Sequence, residues 1–335
     1  MAAMTRTWGC DVPTNPAVEA LRKEKPGLDP RKFRDSEITA KGEKRAAVAL
    51  AKLETLWFNT GTLCNLTCAN CYIESSPAND ALAYLTAAEV AAYLDEIAAL
   101  GWRTREIGFT GGEPFLNPDI IAMLDAALAR GFDVLVLTNA MKPMQRHKAA
   151  LLALKQRFGA RLTLRVSVDH YAPALHELER GARSWAPMKE GLAWLAANGF
   201  GVAIAGRTVW KESEEKLREG FQRLFREIGL VLDAKDPSRL VLFPEMDATI
   251  DVPEITTACW DLLNVHPESM MCASARMVVK RKGAARPAVV ACTLLPYDPQ
   301  FELGATLADA AGAVALNHPH CARFCVLGGG SCSAK

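Results

Sequence analysis

The chain has 335 residues, half of them apolar, enough to bury the core of one large domain and a smaller one. Its 39 Lys+Arg balance 38 Asp+Glu to a net charge of +1, which argues against a protein that coats nucleic acid or an anionic membrane surface. No stretch reads as a signal peptide, and no apolar run approaches the ~20 residues that span a bilayer, so the expectation is a soluble cytoplasmic protein.

Residues 1–50 are rich in charge and proline and read as an extension that wraps or caps the main domain. From there strand-like and helix-like segments alternate. LWFNT (56–60) reads as a buried strand, and Thr86 with Glu89 forms a capping box for an amphipathic helix running to Leu100. EIGFT (106–110) is a short strand, Asn117-Pro118 opens a helix and Gly131 closes it. DVLVLTN (133–139) and LTLRVSVD (162–169) are strands around a helix at 145–158. A helix at 184–198, a strand at 200–209, a charged amphipathic helix at 213–228 and a strand at 239–243 follow. Continuous apolar strands between helices imply a parallel sheet covered by helices, as an open doubly wound sheet or an incomplete barrel. Beyond 246, prolines, cysteines and short apolar runs replace this pattern. The expected division is therefore 1–50 extension, 51–245 core and 246–335 small Cys-rich domain.

Ten cysteines are segregated. Three lie in TLCNLTCANCY, none lies between 72 and 258, and six fall between Cys259 and Cys332. Clustered cysteines in a cytosolic chain point to metal or redox chemistry, and the segregation points to two sites. Cys64, Cys68 and Cys71 follow the first strand directly, at the edge of a parallel sheet where α/β enzymes bind ligands. Three thiolates hold three corners of a cubane iron–sulfur cluster and leave the fourth iron open. The competing reading is a zinc site, but structural zinc takes four closed ligands and no local fourth is at hand. Thr110-Gly111-Gly112-Glu113-Pro114 ends the second strand. Glycines let backbone approach a ligand, and a carboxylate beside them accepts hydrogen bonds from an ammonium. Taken alone, the segment is an ordinary turn before a helix.

The C-x3-C-x2-C spacing together with Gly-Gly-Glu-Pro resembles the radical S-adenosylmethionine (SAM) superfamily, in its maturase-like branch. That resemblance implies an incomplete parallel (β/α)6 barrel of TIM type followed by a small cluster-binding domain. It implies a [4Fe–4S] cluster on Cys64, Cys68 and Cys71, with SAM chelated through its amino and carboxylate groups. One electron cleaves the sulfonium, and the 5′-deoxyadenosyl radical removes a hydrogen atom from a substrate. Members commonly carry an aromatic residue just before the third cysteine; here Asn70 stands there and the aromatic is Tyr72. By resemblance, Gly111, Gly112, Glu113 and Pro114 hold the methionine amino group. Ser167 and Asp169, on one face of their strand, meet the ribose hydroxyls. Arg207 meets the SAM carboxylate, and Asn139 faces the same mouth. His170 and His176, in HYAPALHELERG, lie in a segment similar to one where His and Arg-Gly recur.

Cys272 and Cys292 flank a hairpin turning near Lys282-Gly283, and Cys321, Cys325 and Cys332 follow in HCARFCVLGGGSC. This resembles the SPASM and twitch auxiliary-cluster extensions, and implies one further [4Fe–4S] cluster on Cys272, Cys292, Cys321 and Cys325, with Cys332 as first substitute. A four-cysteine zinc site is the alternative, and His318 and His320 keep a mixed ligand set open. Cys259 is unassigned and Cys10 is a lone thiol. The implied substrate is a peptide or protein, with a small molecule as runner-up, and the implied electron donor is a flavodoxin or ferredoxin. No residue stands out as the hydrogen donor or acid–base group. A rival from another class, an iron–sulfur electron-transfer protein, explains the cysteines but not Glu113, Ser167 and Asp169.

Overall fold

The computed structural model describes residues 26–330, so Cys10 and Cys332 lie outside the described residues. In chain order the elements are strands β1 (Ala47–Val48) and β2 (Thr55–Asn59), helix α1 (Ala87–Ala99), β3 (Glu106–Thr110), α2 (Ile120–Ala129), β4 (Asp133–Thr138), α3 (Lys142–Gln145) and α4 (Lys148–Phe158). Then come β5 (Leu162–Ser167), α5 (Pro173–Arg180), α6 (Trp185–Ala197), β6 (Gly201–Arg207), α7 (Glu214–Glu227), β7 (Leu240–Phe243) and α8 (Cys259–Leu263). The chain continues with β8 (Ala275–Val279), β9 (Ala288–Val290), β10 (Glu302–Gly304), β11 (Val314–Ala315) and a π-helical turn at Cys321–Val326. Strands β2 to β7 pair in sequence order and in parallel, each followed by helix, which makes an incomplete (β/α)6 barrel.

Local chemistry explains the boundaries. Thr86 accepts from the Glu89 N–H while the Glu89 side chain returns to the Thr86 N–H, so the capping box is closed on both sides. Helix α1 then buries Val90, Tyr93, Leu94 and Ile97 at helical spacing against the sheet. Gly131 takes φ 93°, a left-handed turn that ends α2 without the strain a Cβ would bring.

The sheet has two apolar faces and hence two cores. Leu56, Phe58, Ile107, Phe109, Val134, Val136, Leu164 and Ile204 face the helices. Trp57 and Leu135 face the barrel interior, in a core shared with Met277, Val290, Cys272, Cys321 and Phe324. Gly108 makes this interior possible, since a Cβ there would stand 2.3 Å from the Trp57 ring. The C-terminal segment therefore fills the barrel. Phe324 stacks on Phe243 at 5.7 Å, and β8 adds to the sheet in parallel beside β2. The hairpin expected around Lys282-Gly283 is β8–β9, antiparallel, with Gly283 at φ 80°.

The described part of the N-terminal extension lies along the C-terminal segment. β1 pairs with β11, Lys32 bonds Asp251, and the buried Arg45 bonds Glu254 at 2.6 Å. Glu254 also accepts from the Phe33 and Ala40 N–H groups. Among the described residues no helix is long and apolar enough to cross a membrane.

Candidate active site at the barrel mouth

The loop after β2 carries Cys64, Cys68 and Cys71 and is held to the end of β3 by backbone. Gly112 N–H donates to Gly61 C=O at 2.9 Å and Glu113 N–H to Leu63 C=O at 3.1 Å. Asn117 donates to Thr60 C=O and Leu85 C=O, tying the seam to the start of α1. The two glycines are needed for this approach. A Cβ on Gly111, whose φ is 138°, would stand 2.5 Å from Gly61 O, and one on Gly112 would stand 2.2 Å from Leu63 O. On the side where a Cβ would project, both glycines lie against the segment that leads into the cysteine loop.

Glu113 is buried. Its Oε1 accepts from Phe115 N–H and the Thr138 hydroxyl, and its Oε2 accepts from Asn139 N–H at 2.8 Å. Burial pushes its carboxyl up to about 7, against the pull of those three donors. A carboxylate offers about four acceptor sites, so one remains, on Oε2. Pro114 is buried and opens a one-turn 3-10 helix, for which Glu113 is the cap. Asn139 reaches back through its amide to Asn65 at 2.9 Å and so links the end of β4 to the cysteine loop.

A second group lies across the mouth. Asp169 is buried, with Arg180 Nε 2.7 Å from its Oδ2 and Arg207 Nε 3.5 Å from its Oδ1. Burial works to raise its carboxyl, but Arg180 and then Arg207 outweigh it and hold it below the usual carboxylate range. Arg207 also donates to Asn70 C=O at 2.6 Å, while its Nη1 has no hydrogen-bond partner among the described residues. Ser167 is half-buried at the end of β5. His170 is buried with Nε2 3.1 Å from Glu212, and His176 is buried among Trp185, Arg180 and Asp169, its ring nitrogens without a hydrogen-bond partner among the described residues.

Among the cysteines, Cys64, Cys68 and Cys71 act electrostatically on one another, and Glu113 acts on Cys64. Burial pushes the Cys64 thiol up to about 12 and Cys68 up to about 11, so thiolates there call for strong positive charge. Cys71 Sγ accepts the Ser75 N–H at 3.3 Å. Among the described residues no three His, Cys, Asp or Glu side chains converge on one ion position. A cluster with iron at separate corners asks for a wider triangle than a single ion. The donor set of three thiols beside an undercompensated carboxylate fits an iron–sulfur cluster with a cationic ligand.

In the C-terminal segment Cys292 and Cys272 act electrostatically on Cys321, and Arg276 interacts with both Cys272 and Cys292. Burial raises Cys272 to about 11 and raises Cys321 well above the usual thiol value. Cys325 instead lines a cleft with Val265, His266 and Met270. His318 and His320 pack edge to face at 4.6 Å. Sequence reasoning missed Arg180 and Glu179, which α5 delivers to the mouth. The sign available was a charged pair on the same helical face as His176.

A barrel whose mouth gathers three thiols, a buried carboxylate and paired arginines defines a metallocofactor enzyme. Residues 58–224 match the Radical SAM superfamily, and the chain belongs to that superfamily of enzymes, whose members use a [4Fe–4S] cluster and SAM. It is 29% identical over 167 residues to the antilisterial bacteriocin subtilosin biosynthesis protein AlbA of Bacillus subtilis (strain 168), covering 50% of this chain and 35% of AlbA. SuiB of Streptococcus suis bound to S-adenosylmethionine superposes with a TM-score of 0.55 at 14% identity, covering 76% of this chain and 64% of SuiB. The structure of anSMEcpe with bound AdoMet gives 0.53 at 13% identity, covering 76% of this chain and 79% of anSMEcpe. The structural likenesses establish the fold, and the chain spans about a third of the length of AlbA, the curated relative it matches.

Proposed function

We propose that this chain is a maturase-type radical SAM enzyme acting on a peptide or protein. Cys64, Cys68 and Cys71 hold the SAM-binding cluster. Cys272, Cys292 and Cys321 hold a second [4Fe–4S] cluster, completed by Cys325 or Cys332. When bound, the cluster and SAM supply a 5′-deoxyadenosyl radical that removes a hydrogen atom from the substrate. The observation that carries the reading is Glu113, a buried carboxylate beside Cys64 with one acceptor site left open on Oε2. An electron-transfer protein gives that arrangement nothing to do.

The chain's own residues divide the work. Glu113 holds an ammonium, and Asn139 fixes the Glu113 carboxylate and the Asn65 amide together. Gly111 and Gly112 let the Glu113 segment lie against the cysteine loop, and Pro114 sets the turn that aims its carboxylate. The open Nη1 of Arg207 suits a carboxylate, and the half-buried Ser167 with Asp169 suits sugar hydroxyls. The apolar barrel filling, with Trp57 and Phe324, keeps water from the interior. A peptide substrate is supported by AlbA's role in bacteriocin biosynthesis and by SuiB, which is also seen bound to its precursor peptide SuiA. A flavodoxin or ferredoxin is the proposed electron donor.

The test is anaerobic reconstitution of the full chain, then SAM and dithionite, with chromatography for 5′-deoxyadenosine. Product is expected from the wild type and none from the Cys64→Ala/Cys68→Ala/Cys71→Ala variant; product from that variant sinks the assignment. Cys272→Ala should remove only part of the iron. Unchanged iron there refutes the second cluster.

A further inference from the structure

Ala69 and Asn70, the two residues that join Cys68 to Cys71, are gripped from outside the loop. Glu179, 1% exposed in the last turn of α5, takes the Ala69 N–H on its carbonyl at 2.8 Å. Its carboxylate oxygens stand 2.8 and 2.9 Å from Asn70 Nδ2. On the other side, Arg207 donates to Asn70 C=O at 2.6 Å. Thus Asn70 contributes its amide to α5 and its carbonyl to β6.

A glutamate is an expensive choice at this place in α5. Burial disfavours its charge, and the C-terminal end of a helix carries partial negative charge of its own. Packing α5 onto the barrel does not require it, because an apolar side chain would serve that purpose at lower cost. What offsets the cost is the Asn70 amide together with the nearby Arg207 and Arg180 charges. Cys64 is anchored separately, through its N–H to Ser76 C=O and through the seam with Gly112 and Glu113. The contact with Glu179 therefore bears on the Cys68–Cys71 half of the loop alone.

From this we infer that Asn70 and Glu179 are a latch, a pair of positioning residues that sets Cys71 relative to Cys68 for the cluster. A hydrogen-bonded amide–carboxylate pair does here what an aromatic residue before the third cysteine would do by packing. The inference rests on the assignment of Cys64, Cys68 and Cys71 as cluster ligands and deepens it.

The pair can be inverted, and inversion is the test. Asn70→Asp sets two carboxylates face to face, whereas Asn70→Asp with Glu179→Gln restores an amide–carboxylate contact with the roles exchanged. The anaerobically reconstituted full-length proteins are compared by iron per chain after gel filtration. They are also compared by the electron paramagnetic resonance spectrum of the dithionite-reduced cluster with and without added SAM. Asn70→Asp should lose at least about half of the iron that the triple-cysteine variant loses, together with the SAM-induced spectral change. The double variant should regain both. Wild-type iron and spectrum in Asn70→Asp overturn the latch, as does a double variant that melts like wild type without metal yet fails to recover. A wild-type protein that shows no SAM-induced change defeats the ligand assignment itself, which separates that failure from failure of the latch.

Discussion

Replacing Gly112 by alanine tests the seam that brings Glu113 to the cysteine loop. The new Cβ would stand 2.2 Å from Leu63 O, 2.6 Å from Leu63 C and 2.7 Å from Thr62 O, all backbone atoms that cannot rotate aside. Reaching even a 3.0 Å contact requires the two segments to part by about 0.8 Å, the difference between 3.0 and 2.2 Å. The bonds Gly112 N–Gly61 O at 2.9 Å and Glu113 N–Leu63 O at 3.1 Å cross the same gap and would be stretched beyond bonding range. Two buried backbone bonds lost, at about 1–2 kcal/mol each, predict a destabilisation of about 2–4 kcal/mol. Urea unfolding of the metal-free chain measures that cost, and iron per chain reports whether Cys64 has been displaced. Gly312→Ala is the control, since its Cβ would meet nothing within 4 Å, and it should change stability by less than about 0.5 kcal/mol. A Gly112→Ala protein within that same margin, with full iron, would refute the packing argument.

Three further perturbations follow from the buried charges. Glu113, raised to about 7, contributes stability that is fully present below its unfolded value near 4.5 and is lost as pH rises through 7. The loss is about 3 kcal/mol in the metal-free chain, so Glu113→Gln should flatten the stability profile between those pH values; an unchanged slope would contradict it. Asp169, held low by Arg180 and Arg207, stabilises above its unfolded value of 3.8 and loses that contribution as pH falls through its lower folded value. Asp169→Asn removes the buried carboxylate that pairs with two partly buried guanidinium groups and should cost about 3 kcal/mol at pH 7 by urea titration. Arg45→Ala strands the buried Glu254 at a cost of similar size. It should also speed limited proteolysis within 26–45, and wild-type cleavage rates would show that the strap is held by other contacts.

The alternation of strands and helices was legible because each strand is an unbroken apolar run and each helix carries a local stop. Glu106–Thr110 and the Thr86–Glu89 cap are fixed within a few residues of chain, and both stand where the pattern put them. The cysteine spacing and the Glu113 motif are equally local. Helix α5 was not assigned, because the eight residues from Pro173 to Arg180, with three charged side chains, look like a solvated turn. For the same reason Arg180 and Glu179 escaped notice: only tertiary packing turns a polar face inward. The contact of Gly112 with the Leu63 backbone was not legible, because a sequence does not say which neighbouring segment a glycine lies against. The partnership of β8 with β2 was invisible too, since periodicity carries no information about which strands become neighbours.

That partnership bears on how the chain is made. Thr55 pairs with Ala275, so one edge of β2 has no partner until a further 220 residues have been added. At bacterial-to-eukaryotic elongation rates this is a wait of about 10–45 s. Throughout it, the apolar edge of β2 stands open to pairing with other nascent chains, a known route to aggregation. Tyr297, which donates to Ile73 C=O at 2.7 Å just past Cys71, is translated later still. The cysteine loop thus reaches its final shape only after Tyr297 has been added, and until then iron loading competes with misassembly. Expression at low temperature, with slow initiation and chaperone supply, should raise the yield of loadable protein more than added iron does.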